Sequence, residues 1–334
     1  EGFSTVTYRG NGASRYIGGT GFNPDFTWIK ERGAAGNHYL FDSIRGVTKA
    51  LFSDLNSPES TEAGTLTAFN TDGFSLGTHG ATNGSSDTFV AWNWDMGGSN
   101  ATNTAGSITS TVRANASYGQ SIVSYTGTGA NATVGHGLSS APEMIITKNR
   151  DSAIDSVVYH SGTSANPQNE ALSLSTTSGT SDYHWWNDTA PTSSVFNLGN
   201  ANTNNSSAKF IAYCFHSVTG YSKFGKYTGN GNASGTSVTT GFEPAFVLVK
   251  GLSGDMTHKH WTIRDNTRSP NNDRTKGLHA NKSEAEFDAS NNAMAFSSTG
   301  FQLKGTDPGI NENNIEYIYM AFADTREYAY WLDQ

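Results

Sequence analysis

Asp182, His184 and Asp188 lie close together and enclose the aromatic residues Tyr183, Trp185 and Trp186. An imidazole beside two carboxylates raises the question of a metal, as does His258-Lys259-His260, which places two rings on one face if that stretch is a strand. Neither group has a third ligand at a familiar spacing and no His-Glu-x-x-His occurs, so no metal is assigned. The aromatic rings offer different chemistry. Ring faces next to Asp, Asn and His groups are how shallow sugar sites are built, by stacking plus a few polar contacts. Tyr183, Trp185, Trp186 and Asp188 are therefore candidate ligand-binding residues, and Tyr328, Tyr330 and Trp331 near the end of the chain form a second aromatic group. The competing reading is that these rings cap cores or bury against another subunit.

Catalytic patterns are sparse. There is no Gly-x-Ser-x-Gly elbow, and the single cysteine, Cys214, sits in an apolar run where it reads as a small buried hydrophobe. Paired carboxylates for glycoside cleavage are defined by a three-dimensional spacing of roughly 5–10 Å, so Asp151, Asp155, Asp182 and Asp188 stay open as candidates. No catalytic residue and no cofactor is assigned. Asp42-Ser43-Ile44-Arg45 and Asp265-Asn266-Thr267-Arg268 repeat an Asp-x-x-Arg spacing, with His160 and no arginine near the corresponding place between them. These read as loop-ordering ion pairs, worth little where exposed.

The elements around these residues recur. Tyr8-Arg9-Gly10-Asn11-Gly12 returns as Tyr125-Thr126-Gly127-Thr128-Gly129 and as Tyr227-Thr228-Gly229-Asn230-Gly231. Each copy leads through a proline to a short apolar strand ending in Lys30, Lys148 or Lys250, at 22, 23 and 23 residues from the tyrosine. No helix follows to aim its N-terminus at a phosphate, so the glycines read as a tight turn needing positive φ. The lysines read as solvated charges at strand ends. Two later elements recur as well: Gly73 to Leu76, Val195 to Leu198 and Gly300 to Leu303, then Phe89 to Trp94, Phe210 to Phe215 and Tyr317 to Phe322. The second set is apolar throughout, as in a strand buried on both faces.

A chain of 334 residues with this repeat divides into three units of about 100 residues. Only 35% of residues are hydrophobic and 15% charged, the rest being rich in Gly, Ser, Thr and Asn, which argues against a helical bundle. Seven Trp, 14 Tyr and 18 Phe argue against disorder. The expected fold is all-β, three tandem antiparallel sandwiches, jelly-roll-like by preference and immunoglobulin-like second. The expected boundaries are 1–97, a Gly/Ser/Asn/Thr-rich linker at 98–120, then 121–220, and 221–334 with a C-terminal tail. Ser283 to Asp288 is the best of a few short helix candidates. With a net charge of −8 and no basic run, nucleic acid is not an expected partner. No apolar stretch approaches the ~20 residues of a membrane span, and none is expected.

The repeated signatures carry a resemblance. Tyr227 to Gly231, Val134 to Leu138, Lys148-Asn149-Arg150, the run from Trp186 to Phe196, Ile211 to Phe215 and Tyr319 to Ala323 resemble a repeated domain of unknown function found in virion and tail-fibre-type proteins of tailed phages, especially marine ones. The likeness covers almost the whole chain and brings no catalytic residue with it. It implies a non-enzymatic virion structural protein on the particle exterior, in a tail fibre or receptor-binding appendage. The implied partners are its own subunits as a homotrimer, other virion proteins, and a host-surface glycan or protein. A capsid-decorating or head-fibre protein, a polysaccharide-degrading tailspike and a bacterial surface adhesin are the alternatives.

Overall fold

A computed structural model describes residues 2–200, 202–324 and 326. Three large antiparallel sheets share one strand order. In the first, Phe3–Arg9 is followed by Thr88–Trp94, Phe26–Glu31, Tyr39–Asp42, Lys49–Phe52 and Ser60–Thr61. The third runs Ser222–Thr228, Glu316–Phe322, Phe246–Gly251, Thr262–Asp265, Lys276–His279 and Phe287–Asp288. The second runs Gln120–Thr126, Lys209–Phe215, Met144–Asn149, Val157–His160 and Leu172–Ser173. In every sheet the last long strand to be made slots between the first two, which is why it is apolar on both faces.

Smaller sheets cover the outer faces. They are Arg15–Gly18, Gly73–Leu76 and Leu66–Asn70; then Ala132–Gly135 with Val195–Leu198; then Ser234–Thr239, Gly300–Lys304 and Ala293–Ser297. Each closes a sandwich core of its own, and strand parity decides what enters it. Along Thr88–Trp94, Phe89 and Ala91 face the outer core, whereas Val90, Trp92 and Trp94 face inward. The inward faces of all three large sheets meet in one shared core, where Trp94 and Phe26 join Ile146 and Tyr213, and Phe246 and Phe322. Rings bridge the sheets there: Phe26 stacks on Tyr213 at 4.3 Å between centroids and Phe3 on Phe322 at 5.3 Å.

The stretch whose composition reads as linker is structured. Ala101–Asn103 and Ser110–Asn115 extend the second sheet, the latter pairing with Gln120–Thr126. Val112 and Ile108 enter the second outer core, which gives a polar segment enough apolar anchorage to order. Ser283 to Asp288 does not form a helix; among the described residues the α-helical turns are Gly80–Asn83 and Pro308–Asn311. Among the described residues no helix is long and apolar enough to cross a membrane.

The Tyr-x-Gly-x-Gly copies are docking turns, each locked to a buried asparagine. Oδ1 of Asn83, Asn204 and Asn311 accepts from the backbone N–H of Asn11, Thr128 and Asn230, at 3.1, 2.7 and 2.9 Å. The motif tyrosines donate to the carbonyl just before that asparagine. The second glycine has positive φ in every copy, and a Cβ on the first would overlap a carbonyl oxygen of the facing turn.

The seams between units use equivalent positions in cyclic order. Asp42 and Arg45 form an ion pair at 2.5 Å whose side chains are both buried, and Tyr213 of the second unit donates to Asp42 at 2.6 Å. Asp265 and Arg268 repeat this at 2.5 Å, with Trp92 Nε1 of the first unit donating to Asp265. These pairs are thus buried links between units rather than exposed loop ties, because each sits where one sheet's second hairpin meets the next sheet's central strand. Met320, at the position of Tyr213 and Trp92, has no N–H or O–H to give. At that seam the acid is replaced by His160, which hydrogen-bonds to the carbonyl of Tyr319 at 3.1 Å.

The strand-end lysines are also buried, contrary to the reading from spacing. Lys148 Nζ donates to the carbonyls of Asn149 at 2.7 Å and of Asn56, in the first unit, at 3.3 Å. Lys250 Nζ donates to Gly251 and to Thr177 of the second unit. A loop of the preceding unit folds over each of these two strand ends, which removes the water expected there. Burial lowers the ammonium pKa to about 8 in Lys30 and Lys148 and to about 7 in Lys250.

Candidate ligand-binding site

Four of the sequence-derived candidates lie on one loop of the second unit. Its backbone takes positive φ at His184, Asn187 and Asp188, polar residues that tolerate the left-handed region better than most. The loop is tied down from behind: Gly199 N–H donates to the Trp185 carbonyl at 3.1 Å and Thr203 Oγ1 to the same carbonyl at 2.7 Å.

This turn sends the two tryptophans in opposite directions. Trp186 is buried, at 1% exposure, edge-on to Tyr159, with its Nε1 donating to the Glu170 carbonyl at 3.0 Å. It is therefore a core residue and not a ligand contact: a large ring is needed to fill the space beneath the turn. Trp185 is half-buried, donates Nε1 to the Ser181 carbonyl at 3.2 Å, and meets Tyr183 edge-on at 5.7 Å. Tyr183 is 66% exposed. Asp188 is exposed and paired with His184 Nδ1 at 2.6 Å. Tyr328, Tyr330 and Trp331 lie outside the described residues.

Trp185 forms one wall of a cavity of about 440 Å³ at the seam between the first two units. Asn56 contributes from the first unit; Asp155, Ser173, Ser181 and Asn202 contribute from the second. Ala171 and Leu172, both buried, also line it. The polar lining is pre-arranged. Asp155 Oδ1 accepts from Ser175 Oγ at 2.8 Å, and Ser175 Oγ lies 3.2 Å from Ser173 Oγ. Lys148 holds the seam closed through the Asn56 carbonyl. Of the sequence candidates, Trp185 reaches this cavity among the aromatic group, and Asp155 among the carboxylates considered for glycoside cleavage. The residues that sequence reasoning missed here are Asn56, Ser173, Ser181 and Asn202. They are scattered over about 150 positions, and only the seam brings them together.

Asp182, His184 and Asp188 do come together, with ligand atoms within 4.8 Å of one another, all exposed. Their separation suits a divalent ion, although a shared proton already accounts for the His184–Asp188 contact. His258 and His260 do not share a strand face. His258 ends a short 3-10 turn and pairs with Asp255, while His260 stacks on His279 at 4.5 Å. A second depression, of about 350 Å³, lies between the first and third units beside Thr5, Thr7, Asp72 and Arg326.

The chain belongs to the family described as a domain of unknown function, DUF7483, whose model matches residues 1–326. No curated protein matches the sequence.

Proposed function

We propose that this protein is a non-enzymatic structural component of a phage virion, part of a tail fibre or receptor-binding appendage that contacts the host surface. The observation that carries the reading is the cavity at the first seam: an indole wall, hydroxyl and amide groups, and, among the described residues, a single lining carboxylate, Asp155. Glycoside hydrolysis uses two carboxyl groups flanking one bond, whereas recognition needs only stacking and hydrogen bonds. The resemblance of the repeated signatures to virion proteins supports the setting. Three sandwiches welded by one core suit an exposed appendage, where stability must come from packing without disulfides. Assembly with copies of itself, as a homotrimer, and with other virion proteins belongs to the same reading.

Antibody labelling of virions by electron microscopy tests it. Label at tail tips or fibres is the expected result. Label on capsid faces or on uninfected bacteria overturns the appendage reading, and shortening of host polysaccharide by the purified protein overturns the non-enzymatic part.

A further inference from the structure

We infer that the seam cavity binds an uncharged saccharide unit, stacked on Trp185 and hydrogen-bonded through Asp155 and the surrounding hydroxyl and amide groups. The inference rests on the attachment reading above and narrows it to a ligand class. The volume, about 440 Å³, lies within the range that ligand pockets occupy, roughly 300–1,000 Å³.

The lining chooses among ligands by its donors and acceptors. Ser173, Ser181, Asn56 and Asn202 carry groups that both donate and accept, as a sugar hydroxyl does. Asp155 accepts only. One of its oxygens already takes the Ser175 hydroxyl, which orients the carboxylate, and among the described residues none donates to the other oxygen. Two adjacent sugar hydroxyls pointing one way match that remaining acceptor. The Trp185 N–H is committed to the Ser181 carbonyl, so what the residue offers the cavity is ring surface. Tyr183 braces that ring edge-on. The C–H face of a pyranose fits such a surface, because apolar hydrogens meet the negative face of the ring system.

Charge selects further. Among the described residues no lysine or arginine lines the cavity, and the nearby cation, Lys148, is engaged by three main-chain carbonyls. A carboxylate, sulfate or phosphate on the ligand would lose water, meet no counter-charge and face Asp155. Sialylated, uronic-acid-containing and sulfated glycans are therefore disfavoured, and neutral hexoses or N-acetylhexosamines are favoured.

The test uses the purified full chain on an array of neutral, sialylated and sulfated oligosaccharides, followed by calorimetric titration with the neutral oligosaccharide that binds best. Trp185→Ala and the isosteric Asp155→Asn are compared with the parent chain and with Tyr16→Ala, an exposed tyrosine on a different unit. Neutral oligosaccharides should bind, and each cavity variant should weaken binding roughly tenfold or more. Tyr16→Ala should bind like the parent. If Trp185→Ala proves unstable by thermal unfolding, Asp155→Asn alone decides. Binding that both variants leave unchanged, equal binding of sulfated glycans, or no saccharide binding at all overturns the inference. Tail-tip labelling without saccharide binding would refute this inference and leave the attachment reading standing. Saccharide binding with label elsewhere would do the reverse.

Discussion

Lys250 Nζ donates to the carbonyl of Thr177 at 2.9 Å. That bond fastens the loop beside the seam cavity to the third sheet, with the charge supplied by an ammonium cut off from water. Lys148 does the same for the Asn56 loop, so both walls of the cavity are held by buried lysines.

The first prediction concerns alkaline pH. Lys250 has a folded pKa of about 7, and Lys30 and Lys148 of about 8, against 10.5 for a free side chain. Between those values the unfolded chain holds protons that the folded chain has released, so stability increases with pH. The increase is at most about 1.4 kcal/mol per pH unit per lysine, and it begins near pH 7. Unfolding midpoints in urea from pH 6.5 to 10 should rise, and Lys250→Met should reduce the slope. A flat profile would show that these lysines are not desolvated.

At acid pH the seam containing His160 is sensitive, as are the buried imidazoles of His38 and His279. Burial lowers the His160 imidazole to about pKa 4. Its Nδ1 accepts from Gly162 N–H while Nε2 bonds the Tyr319 carbonyl, an arrangement of the neutral ring. Between pH 6.5 and 4 the unfolded chain takes up the proton first, so this contribution to stability is lost as the pH falls. His160→Gln should make the thermal midpoint less dependent on pH across that window.

Asp42→Ala should be severe. It leaves Arg45 buried without its main counter-ion, a loss of about 3–5 kcal/mol. Tyr213→Phe removes only the cross-seam hydrogen bond and should cost about 1 kcal/mol. Chemical denaturation of the two variants and their double mutant separates the effects. If the double mutant is strictly additive, the Asp42–Tyr213 bond does not couple the units.

Trp186→Ala opens a cavity in the second core and should cost about 3–5 kcal/mol. Trp185→Ala should cost much less, because one side of that ring already meets the cavity. Equal losses would contradict the opposite burial of the two neighbours.

The sequence made the sheets readable and the seams unreadable. Runs such as Phe89 to Trp94 announced strands buried on both faces, and Tyr-x-Gly-x-Gly announced a turn. The constant distance from proline to Lys30, Lys148 and Lys250 marked where strands end, but not which loop from another unit would cover them. Local pattern also assigned Trp185 and Trp186 the same role. The left-handed turn at His184 separates them, and no periodicity encodes that turn. Asn56 and Asn202 carried no signal at all, since polar loop residues are common in this chain and their shared cavity is created by packing.

His160, Met320 and the missing arginine have one consequence for how such a molecule can change. A trimer of identical chains must repeat every substitution at all three contacts, so a methionine that removes a donor would break three links at once. Here the three contacts lie in one chain and each has its own residues, so the missing donor at Met320 coincides with a single exchange, His160, on the facing strand. The same freedom lets each junction differ in shape, so that the first holds a pocket of about 440 Å³ with an indole wall and the junction of the first and third units a smaller one of about 350 Å³ without a tryptophan in its lining. Among the described residues that first pocket occurs once, so under the proposed attachment role firm adhesion would have to come from the number of chains displayed together.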